Sequence, residues 1–261
     1  VSVAPDPSEI FHRAVEEGER RLDQSALELV STSFIAGFTV VFGIAALGIV
    51  HAYAAPQLGE LATVAGALAF GVSLVFLVVG RAELFNENFF DPAAKAVDAD
   101  SWMVAPLLRL WALTFAFNLV GGVLMAVVFS VDGVLPPGAV EALRTFAEEF
   151  VRRPIATEFA KAVVGGALVA LLSFLLEAVN DVGSRISLAY VVGVLLTLGP
   201  FDHVIVTILH VVFGMLFGAP ITLAELVATT AVVTAGNLVG GLGLVTLTHV
   251  TQAIGARESD G

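Results

Sequence analysis

Seven apolar stretches dominate the chain, at residues 29–55, 61–79, 104–131, 158–179, 186–199, 203–217 and 222–252. A bilayer span needs about 20 mostly apolar residues. Five of the stretches reach that length; 186–199 and 203–217 hold only 14 and 15 residues. Joined across Gly199-Pro200-Phe201-Asp202, those two make one discontinuous span. A second reads out of 61–79, a polar interruption at 80–88 and a short segment at 89–97, whose second half Asp91-Pro92 starts or kinks. Composition agrees with a membrane chain: 57% of residues are hydrophobic and 14% charged, against about 25% charged in soluble domains. Small residues abound and alternating ten-residue strands are missing, so the chain reads as an all-α bundle rather than a barrel.

An internal repeat sets the topology. Asn118-Leu119-Val120-Gly121-Gly122 returns as Asn237-Leu238-Val239-Gly240-Gly241, an offset of 119 positions. At that offset Gly80 matches Gly199 and Glu83 matches Asp202. Each copy then holds a full, a broken and a full span. Three is odd, so the second copy enters from the opposite face, and six transmembrane helices form two inverted three-span repeats with broken second and fifth spans. Paired broken helices place a transport site near the midplane.

The expected organisation follows. Residues 1–28 carry an amphipathic helix over 8–28, capped by Ser8, with Ile10, Ala14 and Leu22 on one side. Residues 29–131 form the first repeat, 132–157 an extracytoplasmic loop with a short helix at 139–151, 158–252 the second repeat, and 253–261 a tail. No basic segment precedes a short apolar run, so the first span is expected to direct insertion. Basic residues favour both termini in the cytoplasm: Arg13, Arg20, Arg21, Lys95, Arg109, Arg185 and Arg257 against Arg144, Arg152 and Arg153. The chain is expected as a multi-pass protein of the plasma membrane.

Several classes are disfavoured. The absence of cysteine removes disulfides and thiolate chemistry. The formal charge of −12, with two lysines, leaves no basic patch for nucleic acid. It fits either a high-salt cytoplasm or merely acidic loops and tails. Neither H-E-x-x-H nor a P-loop occurs, so protease and ATPase readings lack support. His203 and His210 lie two turns apart, about 10 Å on a straight helix, too far for one ion. No enzyme, metal or cofactor is expected.

The polar residues at the breaks carry the chemistry. Irregular backbone at membrane depth lines a cavity or is buried in protein. Half-helix N-termini carry partial positive charge, which favours anions or polar neutral solutes over cations. His203, just past the second break, either holds backbone as a neutral ring or exchanges a proton with a solute. Asp202 reads as the N-cap of the half-helix, and Glu83 as its counterpart, fixing the first loop through backbone N–H groups. Arg81 either pairs with Glu83 or Glu87, the simpler reading, or adds fixed positive charge to the entrance. Asn86 and Thr207 offer polar groups to a solute. Phe70, Leu74, Leu84, Phe85 and Leu196 serve either as hydrophobic constrictions or as packing. The two repeated Asn-Leu-Val-Gly-Gly elements read as close-packing sites with interhelical asparagine hydrogen bonds.

These motifs resemble the formate/nitrite transporter family. Ala82-Glu83-Leu84-Phe85-Asn86 resembles the family's first loop, Pro200-Phe201-Asp202-His203 its second break, and Trp111 with Asn118-Leu119-Val120-Gly121 its third span. The resemblance covers residues 8–252. It implies an aquaporin-like fold, a homopentamer and one pore per protomer for small monovalent anions, some moved with a proton. Carried over, His203 is the central proton-exchanging residue, Asn86 the loop residue facing it, and Phe70, Leu74, Leu84, Phe85 and Leu196 the constrictions. Arg153 stands where the family has an outer lysine that draws anions in.

The chain also departs from the family pattern: Asn86 replaces Thr, Arg81 and Pro200 replace Gly, Thr207 replaces an Asn, Val169 replaces an Asn near the histidine, and Glu87 is an added acid. These mark a divergent, less characterised branch. The expectation is a channel or proton-coupled transporter for small monovalent anions. The alternatives are a channel for small polar neutral solutes or neutral weak acids, and a closed-pore sensor or scaffold.

Overall fold

The computed structural model describes residues 5–259; residues 1–4, 260 and 261 and the side chains of Arg257, Glu258 and Ser259 lie outside that description. The chain is all-helical among the described residues. Helix α1 spans Pro7–Leu22, with Asp6 as its cap, its carboxylate accepting the Glu9 N–H. The expected helix over 8–28 is therefore two helices with a different start. Asp6 supplies the acceptor in place of Ser8, and Ser25 opens a new helix by accepting the Glu28 N–H. Nor does α1 lie free on a surface: Ile10, Phe11, Ala14, Val15, Gly18 and Leu22 are buried.

Two sets of three elements follow. The first is α2 (Ala26–Leu58), then α3 (Ala62–Val79) with α4 (Phe90–Asp98) beyond a break, then α5 (Val104–Phe129). Helix α6 (Pro137–Val151) connects the halves. The second set is α7 (Ile155–Glu177), then α8 (Val182–Leu198) and α9 (Val204–Leu216) across the second break, then α10 (Leu223–Leu238) running through a π-helical stretch (Val239–Thr246) into α11 (Leu247–Ser259). Four helical runs are long and apolar enough to cross a membrane: Ala26–Val79, Val104–Phe129, Ile155–Glu177 and Leu223–Ala256. The first of these contains a turn at Gly59, whose φ of 56° brings α3 back against α2.

The halves lock together at their centres. Helix α2 packs on α5 and α3, α7 on α10 and the π-helical stretch, α3 on α8, and α6 on α9. The repeated Gly-Gly pairs permit the close helix packing within each half. A Cβ on Gly121 would lie 2.1 Å from the Phe34 carbonyl oxygen, and one on Gly240 would lie 1.9 Å from that of Val163. Only a hydrogen fits where another helix's backbone comes so close.

Candidate functional site

Each break is held open by an asparagine from the last helix of its own half. Asn118 on α5 donates from Nδ2 to the carbonyls of Ser33 and Glu83 at 2.8 and 2.9 Å, and its Oδ1 accepts the Phe85 N–H at 3.0 Å. Asn237 on α10 donates to the carbonyls of Ala162 and Asp202 at 2.8 and 2.7 Å, and its Oδ1 accepts the Val204 N–H at 2.8 Å. The backbone adds a matched pair, Glu83 N–H to Thr32 and Asp202 N–H to Lys161. A broken helix exposes backbone donors and acceptors that must find partners when buried. One carboxamide, with two donors and a two-lone-pair acceptor, satisfies three of them.

Asn86 joins the halves. Its Nδ2 donates to Asn237 Oδ1 at 2.8 Å, beside the bond from Val204. Both Asn237 N–H groups go to carbonyls, so Oδ1 can only accept and Asn86 must present its amino group. Its own Oδ1 is left buried without a partner. His203 is the residue before Val204 and is fully buried. It, rather than Asp202, caps α9: Nδ1 accepts the Val206 N–H at 3.5 Å. A neutral imidazole that accepts at Nδ1 carries its proton at Nε2, and Nε2 has no partner either. A free acceptor on Asn86 and a free donor on His203 thus lie one relay apart, through Asn237 and Val204.

With histidine as cap, Asp202 is released to other work. Its carboxylate takes both bonds from Arg153 Nη1, at 2.8 and 3.0 Å. The expected capping role of Asp202 is overturned, because its side chain points to α6 and not along α9. Arg153 also lies over the Phe150 ring, 4.5 Å from its centre. Its charge is matched by Asp202, and it lines the cavity on the α6 side. Lys161 lines the same cavity and has no ion pair among the described residues. That cavity, about 570 Å³, opens on the α6 side and reaches Leu196, Thr207 and His210.

On the opposite side a cavity of about 90 Å³ lies between α1 and the first break. Glu83 does not bind its own loop's N–H groups, the expected role, but receives Arg20 from α1 and Gln24 from the link after it, both at 3.1 Å. Arg21 donates to the Glu87 carbonyl at 2.7 Å and to Asn88 Oδ1 at 3.2 Å. Trp111 Nε1 secures the Asn88 carbonyl at 2.8 Å. Arg81 pairs with neither Glu83 nor Glu87, and its φ of 51° puts it in the left-handed region. The α1 arginines have already satisfied Glu83, and the left-handed turn leaves Arg81 exposed. Burial raises the carboxyl of Glu17 on α1, but hydrogen bonds and charge from Arg20 and Arg21 outweigh it, and the group sits at about 2.

Phe70, Leu74, Leu84, Phe85 and Leu196 are all buried in one apolar cluster with Val169 and Val204. Phe85 meets Phe89 and Phe115 edge to face, each at 5.2 Å between ring centres. The sequence reading missed the α1 arginines, the Arg153–Asp202 pair and Lys161. Their signals are ordinary charged residues, far from the breaks in sequence, and only tertiary packing brings them there.

Two inverted halves, two backbone breaks sealed by asparagines and a cavity on either side define a membrane channel or transporter. The model of the formate/nitrite transporter family matches residues 8–251, and the chain belongs to that family. It is 27% identical over 235 residues to a probable formate transporter of Methanothermobacter thermautotrophicus, covering 82% of this chain and 84% of that one. It is 26% identical over 222 residues to the uncharacterized transporter YwcJ of Bacillus subtilis (strain 168), covering 84% and 86%. A solved FNT family ion channel superposes with a TM-score of 0.81 at 18% identity, over 92% of this chain and 97% of that one. A pentameric formate channel with formate bound superposes at 0.70 and 18% identity, over 83% and 92%. The protein is thus a multi-pass membrane channel or transporter, not an enzyme.

Proposed function

We propose that the chain forms a pore for a small monovalent anion, of formate or nitrite size, that crosses with a proton at His203. The observation that carries this reading is the pair of unsatisfied buried atoms, His203 Nε2 and Asn86 Oδ1. Buried polar groups are normally hydrogen-bonded. A weak acid supplies one acceptor oxygen and one O–H donor, the complement of what these two atoms lack. The anion gathers in the α6-side cavity, drawn by Lys161 and by the N-terminal end of α9. A proton taken up from the cavity first makes His203 an imidazolium. Its Nε2–H bond then breaks as an O–H bond forms on the anion, the ring returns to neutral, and the neutral acid passes Leu196 and Leu84 at far lower desolvation cost. Asn86 and Thr207 orient it, while Phe70, Leu74 and Phe85 complete the apolar walls. Asp202, Glu83 and Arg153 hold the breaks in place. Arg81 adds positive charge to the α1-side mouth.

The assembly is a homopentamer in the cytoplasmic membrane with both termini inside. This rests on the resemblance to a pentameric formate channel and on the distribution of arginine. Proteoliposome flux of formate and nitrite tests the reading. His203→Phe is expected to abolish it, and unchanged flux would remove the histidine role. One observation favours a second reading, a pore for neutral weak acids alone: Asp202 cancels the charge of Arg153. Flux that ignores membrane potential while rising with the neutral-acid fraction would select it.

A further inference from the structure

The acid that sets this chain apart from its family's pattern, Glu87, has a setting unlike its neighbours'. It is 4% exposed and lines the small cavity under α1. Its carbonyl oxygen is held twice, by Arg21 Nη1 at 2.7 Å and by Ser173 Oγ at 2.9 Å. Its carboxyl oxygen Oε1 is buried without a hydrogen-bond partner.

Every other acid packed there has a cation. On α1, Glu17 binds Arg20 at 2.6 Å and Arg21 at 3.0 Å. At the break, Glu83 binds Arg20 at 3.1 Å and lies 3.8 Å from Arg21. On α4, Asp91 lies 3.5 Å from Arg21, and at the end of α7, Glu177 lies 3.8 Å from Arg185 on α8. Arg21 is thereby shared among three carboxylates and two further acceptors. Glu87 has no cation within ion-pair distance among the described residues. Arg81 lines the same cavity and is unpaired.

A carboxylate buried without a cation is expensive, whereas the acid form needs none and brings an O–H donor. The next residue back is Asn86, whose amide reaches Asn237 and the start of α9. Glu87 therefore sits on the same short segment as the central site, facing the α1-side cavity. The double hold on its backbone fixes the residue and leaves its carboxyl group uncommitted.

We propose that Glu87 is a second proton-exchange residue, serving the permeating acid at the α1-side mouth of the pore. This rests on the reading of the chain as an acid or anion pore. In the exchange, the Glu87 O–H bond breaks and an O–H bond forms on the anion, giving the neutral acid and the Glu87 carboxylate. Water in the cavity returns a proton to Glu87. Arg81 faces the charge that Glu87 carries between the two events. The reverse sequence receives the proton of an acid leaving through this mouth.

Formate uptake into proteoliposomes, measured from pH 5 to 8, tests the assignment on full-length protein. Glu87→Gln is expected to slow uptake about tenfold or more, as loss of a positioned acid does, and to flatten the pH profile. Glu87→Asp is expected to restore both in part. Melting temperature and elution volume identify any misfolded variant. A folded Glu87→Gln with the wild-type rate and profile overturns the proposal. So does a slower variant whose pH profile is unchanged, since that marks packing alone. An infrared band from a protonated carboxyl group, lost in Glu87→Gln, supports the assignment, and its absence from the wild type overturns it. If His203→Phe abolishes flux while Glu87→Gln does not alter it, the main reading stands and this one falls. If the wild type passes no anion or weak acid, the main reading falls by itself, and an infrared band that does not respond to added formate overturns this one.

Discussion

The two breaks share one construction and differ in what they leave unsatisfied. Asn118 and Asn237 stand 119 residues apart and each clamps its break with the same three bonds: two donations to carbonyls and one acceptance from an N–H. The position that is Leu84 in the first break is His203 in the second. Leu84 is sealed in the apolar cluster, whereas His203 keeps a buried nitrogen without a partner. The acids differ too. Glu83 is tied to α1 and Asp202 to the end of α6. An inverted repeat thus builds a symmetric frame, and substitution at a few positions leaves a buried histidine in one half and ties the other to α1. The second clamp also carries more: Asn237 alone accepts a further bond, from Asn86 across the halves.

That asymmetry sets the largest expected effect. A buried polar group left without its partner costs about 1–3 kcal/mol. Asn237→Ala strands the carbonyls of Ala162 and Asp202, the Val204 N–H and the Asn86 amide. Allowing for some relaxation, its cost is about 6 kcal/mol, and that of Asn118→Ala, with one group fewer, about 4 kcal/mol. Unfolding midpoints in detergent rank the pair. If Asn118→Ala is the more damaging, the cross-half bond from Asn86 does not strengthen the second clamp.

The acid anchors come next. Arg153→Met leaves Asp202, which is fully buried, without its cation. Breaking a buried pair this way costs about 3 kcal/mol, at the low end because Arg153 keeps some exposure. Glu83→Gln costs less, about 2 kcal/mol, since Arg20 is more exposed and Arg21 retains Glu17 and Asp91. The first anchor should also weaken in acid. Glu17 falls from its ordinary value of 4.5 to about 2 in the folded chain. Its contribution is therefore complete above pH 4.5 and is lost as pH falls toward 2. Amide exchange in α1, corrected for intrinsic rates, should rise over that window ahead of exchange in α7. Equal protection of both helices at pH 3 would show that α1 is not held by these charges.

Much of this frame was readable in advance, for a physical reason. Hydrophobic length and an odd number of spans per repeat are properties of the chain alone, and they forecast the broken helices closely. The asparagines were readable as interhelical bonds, because a carboxamide in an apolar helix needs partners. What escaped were interactions whose two members share no local pattern. Asp202 read as a cap because an acid before a helix usually is one. The histidine one residue later took that role, which left the acid free for Arg153 in the link between α6 and α7. Similarly, the N-terminal helix read as amphipathic from Ile10, Ala14 and Leu22 alone, yet its arginines reach the first break.

Arg81 gives the smallest and most diagnostic comparison. It begins the first break with a φ of 51°, while Pro200 opens the second without positive φ. A left-handed residue with a Cβ costs about 1–2 kcal/mol relative to one without, and the family pattern has glycine here. Arg81→Gly should relieve that strain, offset by a looser unfolded chain, for a net gain below about 1 kcal/mol. A residue kept for structure would make this variant better in every respect. A residue kept for charge would make it more stable and yet slower at moving anions, with the deficit shrinking as salt screens the mouth. Flux at low and high ionic strength, set beside the melting temperature of the same variant, separates the two. Greater stability with unchanged flux at low salt would assign Arg81 no part in transport.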